Sequence, residues 1–241
     1  MEYYYTPPNK VDLKNKILRI DDEFEYNHLA KVLRKKEGDS IHITDGELNI
    51  YECTIRSISK NEIICSISEI HNDLYEPGKR NHLFIATLKN SDKLKFEIEK
   101  SVELGLISIT QVITKYTVNK SAFSETKLNR LHRIIISAMG QSQRCLLPKL
   151  NNISTFDEFL TGTSCNINRI VMYEFSEKED KFVYDKSSNE IYLLIGPEGG
   201  FAEEEIGLLR DSGWQIGNLG ERKLRAETAA IVSIFELLNC N

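Results

Sequence analysis

The chain has 241 residues and an ordinary globular composition, with 41% hydrophobic side chains, and it carries a net charge of −5. That length suits one large domain or two modest ones, and no apolar run approaches the ~18 residues that a membrane span needs. The five cysteines (Cys53, Cys65, Cys145, Cys165, Cys240) are scattered and form no C-x-x-C pair, which excludes a zinc ribbon or a disulfide framework.

The first sixteen residues lack the apolar core of a secretory signal. With scattered thiols that suit a reducing compartment, the expectation is a cytoplasmic protein without a metal. Residues 1–71 read as β-rich. Residues 41–44, 51–58 and 63–70 are short runs rich in β-branched and aromatic side chains, and Asp45-Gly46 between the first two is a hairpin signal. One helix is predicted over 27–36, with Leu29, Val32 and Leu33 on one stripe and the basic cluster Lys31, Arg34, Lys35 and Lys36 near its end. A small β-barrel with one helix is the natural packing solution. The polar stretch 71–80 contains Pro77-Gly78 and marks the boundary, so the expected domains are 1–71 and 72–241.

Beyond it, strands alternate with helices. Strands are predicted over 83–88, 107–114, 169–175, 191–195 and 215–219. The helices between them are predicted at 91–104, 124–143, 156–160, 203–212 and 227–238. Ser91 or Asp92 is the expected cap of the first of these helices, and Glu99 interrupts its inward stripe of Leu94, Ile98 and Val102. This alternation implies a mostly parallel sheet covered on both faces. From Lys115 to Lys149 there are seven bases against one acid, Glu125, a local charge of 7 − 1 = +6. Such a patch could hold a phosphate backbone, but charge alone favours a solvated helix face.

The chemistry concentrates in 191–238. One glycine turn, Gly196-Pro197-Glu198-Gly199-Gly200, follows an apolar run, and a second, Leu219-Gly220-Glu221-Arg222, follows the last strand. Two such turns fit one ligand pocket or a pair of ordinary strand-to-helix turns. The first turn lacks the G-K-[ST] of a P-loop and the G-x-G-x-x-G of a dinucleotide fold, and no G-x-S-x-G elbow is present. What is left suits an adenine ring and a small zwitterion better than a triphosphate.

The run Leu194-Ile195-Gly196-Pro197-Glu198-Gly199-Gly200-Phe201, followed by Glu204-Glu205-Ile206, resembles a signature of bacterial 16S ribosomal RNA uridine-N3 methyltransferases. So does Leu219-Gly220 followed by Leu224-Arg225-Ala226-Glu227-Thr228-Ala229. These enzymes form the RsmE family of the SPOUT superfamily. The resemblance runs through the chain: His28-Leu29, Lys31 to Arg34, Gly38-Asp39, Lys100, Glu103 to Gly105, and Gln141 to Arg144 before Pro148 match other blocks. Departures are Asn90 and Ser91 for a frequent Lys-Gly, Gly140 for glutamate and Gln143 for glycine. Lys223 and Ala226 stand where isoleucine and threonine are common, and Glu221 where proline or a small residue is expected.

The resemblance implies a C-terminal α/β domain with a deep trefoil knot, a rare exception to unknotted topology, and an N-terminal PUA-like β-barrel that helps hold RNA. It implies S-adenosylmethionine as cofactor, 16S rRNA of the small ribosomal subunit as substrate, and a homodimer. Met172, Tyr173, Glu174, Ile195, Gly196, Pro197, Glu198, Gly199, Gly200, Leu219, Gly220, Leu224, Thr228 and Ala229 would line the cofactor. Arg225 would touch the target base or its phosphate, while Glu198 and Glu227 are alternative catalytic carboxylates or holders of the loops. Lys31, Arg34, Lys127, Arg130 and Arg133 would meet phosphates, and Gln141 and Arg144 would face RNA or the partner subunit. Two other readings are a related SPOUT enzyme acting on a ribose 2′-OH or another base, and a non-catalytic RNA-binding relative.

Overall fold

The computed structural model describes residues 2–88, 90–117, 125–163, 167–175 and 188–239. Two compact units emerge, one formed by residues 1–76 with 136–147, the other by 77–135 with 148–241. The segment 136–147 thus belongs with the N-terminal residues, a return that a single cut at 71/72 does not contain.

The first unit holds β1 (Tyr3–Tyr5), β2 (Val11–Asp12), β3 (Ile17–Ile20), α1 (Glu23–Asn27), β4 (Ser40–Thr44), β5 (Asn49–Ser59) and β6 (Glu62–Asn72). They form one six-stranded sheet in the order β1-β4-β5-β6-β3-β2. Register shifts between Glu52 and Cys53 and between Ile55 and Ser57 bend the long β5–β6 hairpin, which curls the sheet around Leu18, Ile20, Ile41, Ile43, Ile55 and Ile63. The Asp45 turn works as expected: its carboxylate accepts from Glu47 N, Asn49 N and the Tyr51 hydroxyl. The helix starts earlier than 27, because the Asp22 carboxylate accepts from Phe24 N and Glu25 N. It continues as a π-helical turn over His28–Val32. Cys53, Cys65 and Cys145 are free and buried.

The second unit opens with β7 (Arg80–Ala86), α2 (Ser91–Glu103), β8 (Ser108–Ile113) and α3 (Glu125–Gln141), of which residues 136–141 lie in the first unit. It continues with β9 (Lys149–Leu150), β10 (Ser154–Thr155), α4 (Phe156–Gly162), β11 (Asn168–Met172), β12 (Glu190–Ile195), α5 (Glu203–Asp211), β13 (Gln215–Gly217) and α6 (Ala226–Asn239). The strands run β10-β8-β7-β12-β11-β13, with β9 beside β8, and every pairing is parallel. The α/β class and the parallel sheet are as expected. Parallel strands covered on both faces read as near-continuous apolar runs, which is why 191–195 is legible in the sequence. α2 is capped by Asn90, whose side chain accepts from Asp92 N, and not by Ser91 or Asp92. The expected Ser124 cap of α3 lies outside the described residues. The inward stripe of α2 also differs: Glu99 is half-exposed and paired with Lys100, whereas Glu97 is fully buried.

Candidate active site

The chain fills one side of the sheet from β7 outward through β8 to β10, then crosses β7 to lay down β11 and β12. In parallel α/β sheets ligands gather beyond the carboxyl ends of the strands near such reversals. Met172, Ile195 and Gly217 are the final residues of β11, β12 and β13, and all three line one cavity of about 600 Å³. That volume is within the usual range for small-molecule sites.

Two turns wall the cavity. The first, after β12, is closed by a bond from Gly200 N to Pro197 O at 2.9 Å. Gly196 packs against the buried Phe201 ring so tightly that a Cβ there would lie 2.8 Å from it. Glu205 then fixes the exit of the turn: its carboxylate accepts from Ala202 N at 2.9 Å and from Lys115 N at 2.7 Å. The second turn follows β13, where Tyr173 N bonds Gly217 O and Gly220 N bonds the Asn218 side chain. Gly220 adopts φ +101°, a backbone state that favours glycine. Beyond it the chain enters α6, whose first turn begins with the 2.8 Å bond from Ala229 N to Arg225 O.

Charged groups also line the cavity. Arg225 is exposed and lines the cavity, and so does the buried Glu227. Lys93 of α2 also lines the cavity and lies 3.9 Å from Glu227 Oε1. Glu174 meets Lys223 through both carboxylate oxygens, at 2.8 and 3.0 Å. Glu198 is exposed on the first turn.

Residues 76–237 match the family described as RNA methyltransferase domain, and residues 20–68 match the family described as RNA methyltransferase PUA domain. A protein named Ribosomal RNA small subunit methyltransferase E from Mesomycoplasma hyopneumoniae is 33% identical over 89% of this chain and 89% of its own. The chain belongs to the ribosomal RNA small subunit methyltransferase E family. A relative of the same name from Rickettsia conorii is 28% identical over 93% of this chain and 90% of its own. A crystal structure of a ribosomal RNA small subunit methyltransferase E from Neisseria gonorrhoeae bound to S-adenosyl methionine superposes with TM-score 0.86 at 27% identity. It covers 97% of this chain and 95% of that one.

Against this family background, the cavity gathers Met172, Tyr173, Glu174, Ile195, Gly196, Pro197, Glu198, Gly200, Leu219, Gly220, Leu224, Arg225, Glu227 and Ala229. Gly199 and Thr228 are not in its lining; a Cβ on Gly199 would instead meet Tyr116 at 3.1 Å, and Thr228 is exposed. Lys31, Arg34, Lys127, Arg130, Arg133 and Gln141 are exposed. Arg144 corrects the expectation of an RNA-facing side chain. It is 3% exposed and its guanidinium bonds Glu76 at 2.7 Å, while the other Glu76 oxygen accepts from Cys145 N and Leu146 N. A charge taken out of water needs such a partner, and this one lies 68 positions away in the chain. Sequence reasoning missed Lys93, Phe175, Phe201, Asn218 and Lys223 in the lining. Lys93 carries no local signal, since it reaches the cavity from a helix more than 100 residues before α6.

Proposed function

We propose that this protein is an S-adenosylmethionine-dependent methyltransferase that methylates N3 of a uridine in 16S rRNA of the small ribosomal subunit. The observation that carries the reading is one cavity at the carboxyl ends of β11, β12 and β13, walled by two glycine turns with Arg225 and Glu227 beside it. The names of the full-length relatives support the rRNA substrate, and the ligand named for the Neisseria structure supports the cofactor.

The cavity fits that cofactor. Its walls are largely backbone and aliphatic surface, from Ile195, Gly196, Leu219, Gly220 and Leu224, which suit an adenine ring and a small amino acid. The Gly196 backbone packs against the Phe201 ring, where a Cβ would lie 2.8 Å from it. When bound, S-adenosylmethionine supplies a methyl group activated by the sulfonium and keeps the sulfur–methyl electron pair on leaving. The chain must do the rest. Uracil N3 carries a proton between two carbonyls, and its loss spreads negative charge onto O2 and O4. The Arg225 guanidinium stabilises that charge. Glu227 accepts the proton while N3 keeps its electron pair for the new bond. Glu227 suits this role better than the exposed Glu198, because it is buried beside the cavity with Oε2 unpartnered. The turns contribute alignment, and the transfer needs no metal.

In the same reading the last segment forms the trefoil knot, and two copies pair through α2 and α6. The exposed apolar side chains Phe96, Val232 and Phe235 on those helices support the pairing. The residues 1–71 would hold RNA, helped by Lys31 and Arg34, and α3 would add Lys127, Arg130 and Arg133. Among the described residues no helix is long and apolar enough to cross a membrane, which accords with a cytoplasmic enzyme. The test is a deletion strain whose 16S rRNA is mapped for modified uridines. One N3-methyluridine should vanish and return on complementation; survival of every such site would overturn the reading.

A further inference from the structure

α2 and α6 pack together, and both helices bury polar side chains. Glu97 and Ser101 of α2 and Ser233 of α6 are all fully buried. Neither Glu97 oxygen, nor the Ser101 and Ser233 hydroxyls, has a hydrogen-bond partner among the described residues. Buried polar groups in native proteins are nearly always bonded to protein or to enclosed water. Glu97 sits one helical turn after Lys93, so the two share a face, and Lys93 reaches Glu227 at the cavity. Glu227 Oε2 is also buried and unpartnered.

Burial and then the charges around Glu97 set its ionisation. Glu227 faces it from α6 and Glu198 from the turn after β12, while Lys93 on its own helix stands beside Glu227. Burial, with the two carboxylates adding repulsion, pushes Glu97 up to about 8. An unpaired carboxylate in such a place would meet the full cost of desolvation, and a protonated acid does not.

We propose that Glu97 is a positioning residue, a carboxylic acid kept protonated in the α2–α6 seam, whose O–H donates through an enclosed water to Glu227 Oε2 and holds that carboxylate charged beside the cavity. The inference rests on the reading of Glu227 as acceptor of the N3 proton. Glu97 and Glu227 do not bond directly, since their free oxygens lack partners among the described residues, and the proposed link between them is one enclosed water.

The experiment is infrared difference spectroscopy of the full chain at neutral pH, wild type against Glu97→Gln, without cofactor or RNA. A protonated-carboxyl stretch should be present in wild type and missing from the variant; Glu25, the other raised carboxyl among the described residues, is common to both and cancels. Alongside, Glu97→Leu should lower kcat by about tenfold, the worth of one hydrogen bond to a charged group. It should also raise the lower pKa of the pH–rate profile and leave calorimetric affinity for S-adenosylmethionine unchanged. Glu97→Gln, whose amide still donates, should recover most of the lost turnover. Identical spectra, or a Glu97→Leu enzyme with the wild-type profile, would overturn the proposal. Wild type that failed to bind S-adenosylmethionine would count against the functional reading instead, because the spectrum reads the proton without it.

Discussion

Arg225 stands exposed in the cavity wall two residues before the buried Glu227, so one turn of backbone presents a cation and an anion to the same space. Because Arg225 is exposed, its removal should touch chemistry and leave packing alone. Arg225→Ala is expected to slow methyl transfer by about 100-fold or more, with an unchanged circular-dichroism melting curve; near-normal turnover would refute the role. Arg144 is the opposite case. Arg144→Ala strands Glu76 in the interior of the first unit, and breaking a buried pair this way costs about 3–5 kcal/mol. Urea unfolding should register that loss, and an unchanged midpoint would show that the pair is not needed. The two arginines look alike in the sequence. Arg225 was legible because it lies in a motif with glycine turns. Arg144 was misread because a run of bases says nothing about a carboxylate brought in from residue 76. Glu97 was missed for a related reason: helical spacing placed the neighbouring Glu99 on the inward stripe, and a fully buried glutamate is rare enough to argue against itself.

At the scale of elements, the first cavity wall depends on a glycine packed where a Cβ would collide, and the second on a glycine held at φ +101° in open space. Gly196→Ala places a methyl 2.8 Å from the Phe201 ring, and Phe201 is itself locked in a core with Val112, Leu194 and Trp214. The turn must therefore move instead of the ring. Calorimetric affinity for S-adenosylmethionine should fall by about tenfold or more, and undiminished affinity would mean that the first turn does not contact the cofactor. Strands of five or six residues such as β11 and β12 were legible because burial on both faces leaves an unbroken apolar signature. The two-residue strands β9 and β10 were not, since two residues carry no period. β1 and β3 were also missed. β3 pairs locally only with the two-residue β2, and the remaining partners of β1 and β3 lie 39 to 49 residues away, Tyr3 with His42 and Ile17 with Ser66, a range that no local pattern announces.

For the molecule as a whole, composition gave the class and motifs gave the cavity, but the way the units are assembled was hidden. Segment 136–147 rejoins residues 1–76 through Thr44 Oγ1 to Cys145 O, Leu48 N to Cys145 O and Leu147 N to Gly46 O. These bonds link positions about 100 apart, which hydropathy does not report. Stability against pH is also a property of the whole chain. Glu25 and Glu97 are each pushed up to about 8, chiefly by burial, so the folded state binds their protons more tightly than the unfolded chain does. Their contribution is full below the ordinary glutamate value of about 4.3 and is lost as pH rises toward about 8. Urea midpoints should therefore decline across that window, and Glu97→Gln should flatten part of the decline. A slope equal in both proteins would mean that Glu97 is not proton-bound in the folded state.

The reaction makes one bond on one base. Small ribosomal subunits from the deletion strain, purified protein and S-adenosylmethionine labelled in its methyl group would be combined, and the 16S rRNA digested to nucleosides. The label is predicted to appear in N3-methyluridine at a single position and to be absent with Arg225→Ala. Label in a 2′-O-methylated nucleoside or on another base, or no label in the rRNA at all, would contradict the account.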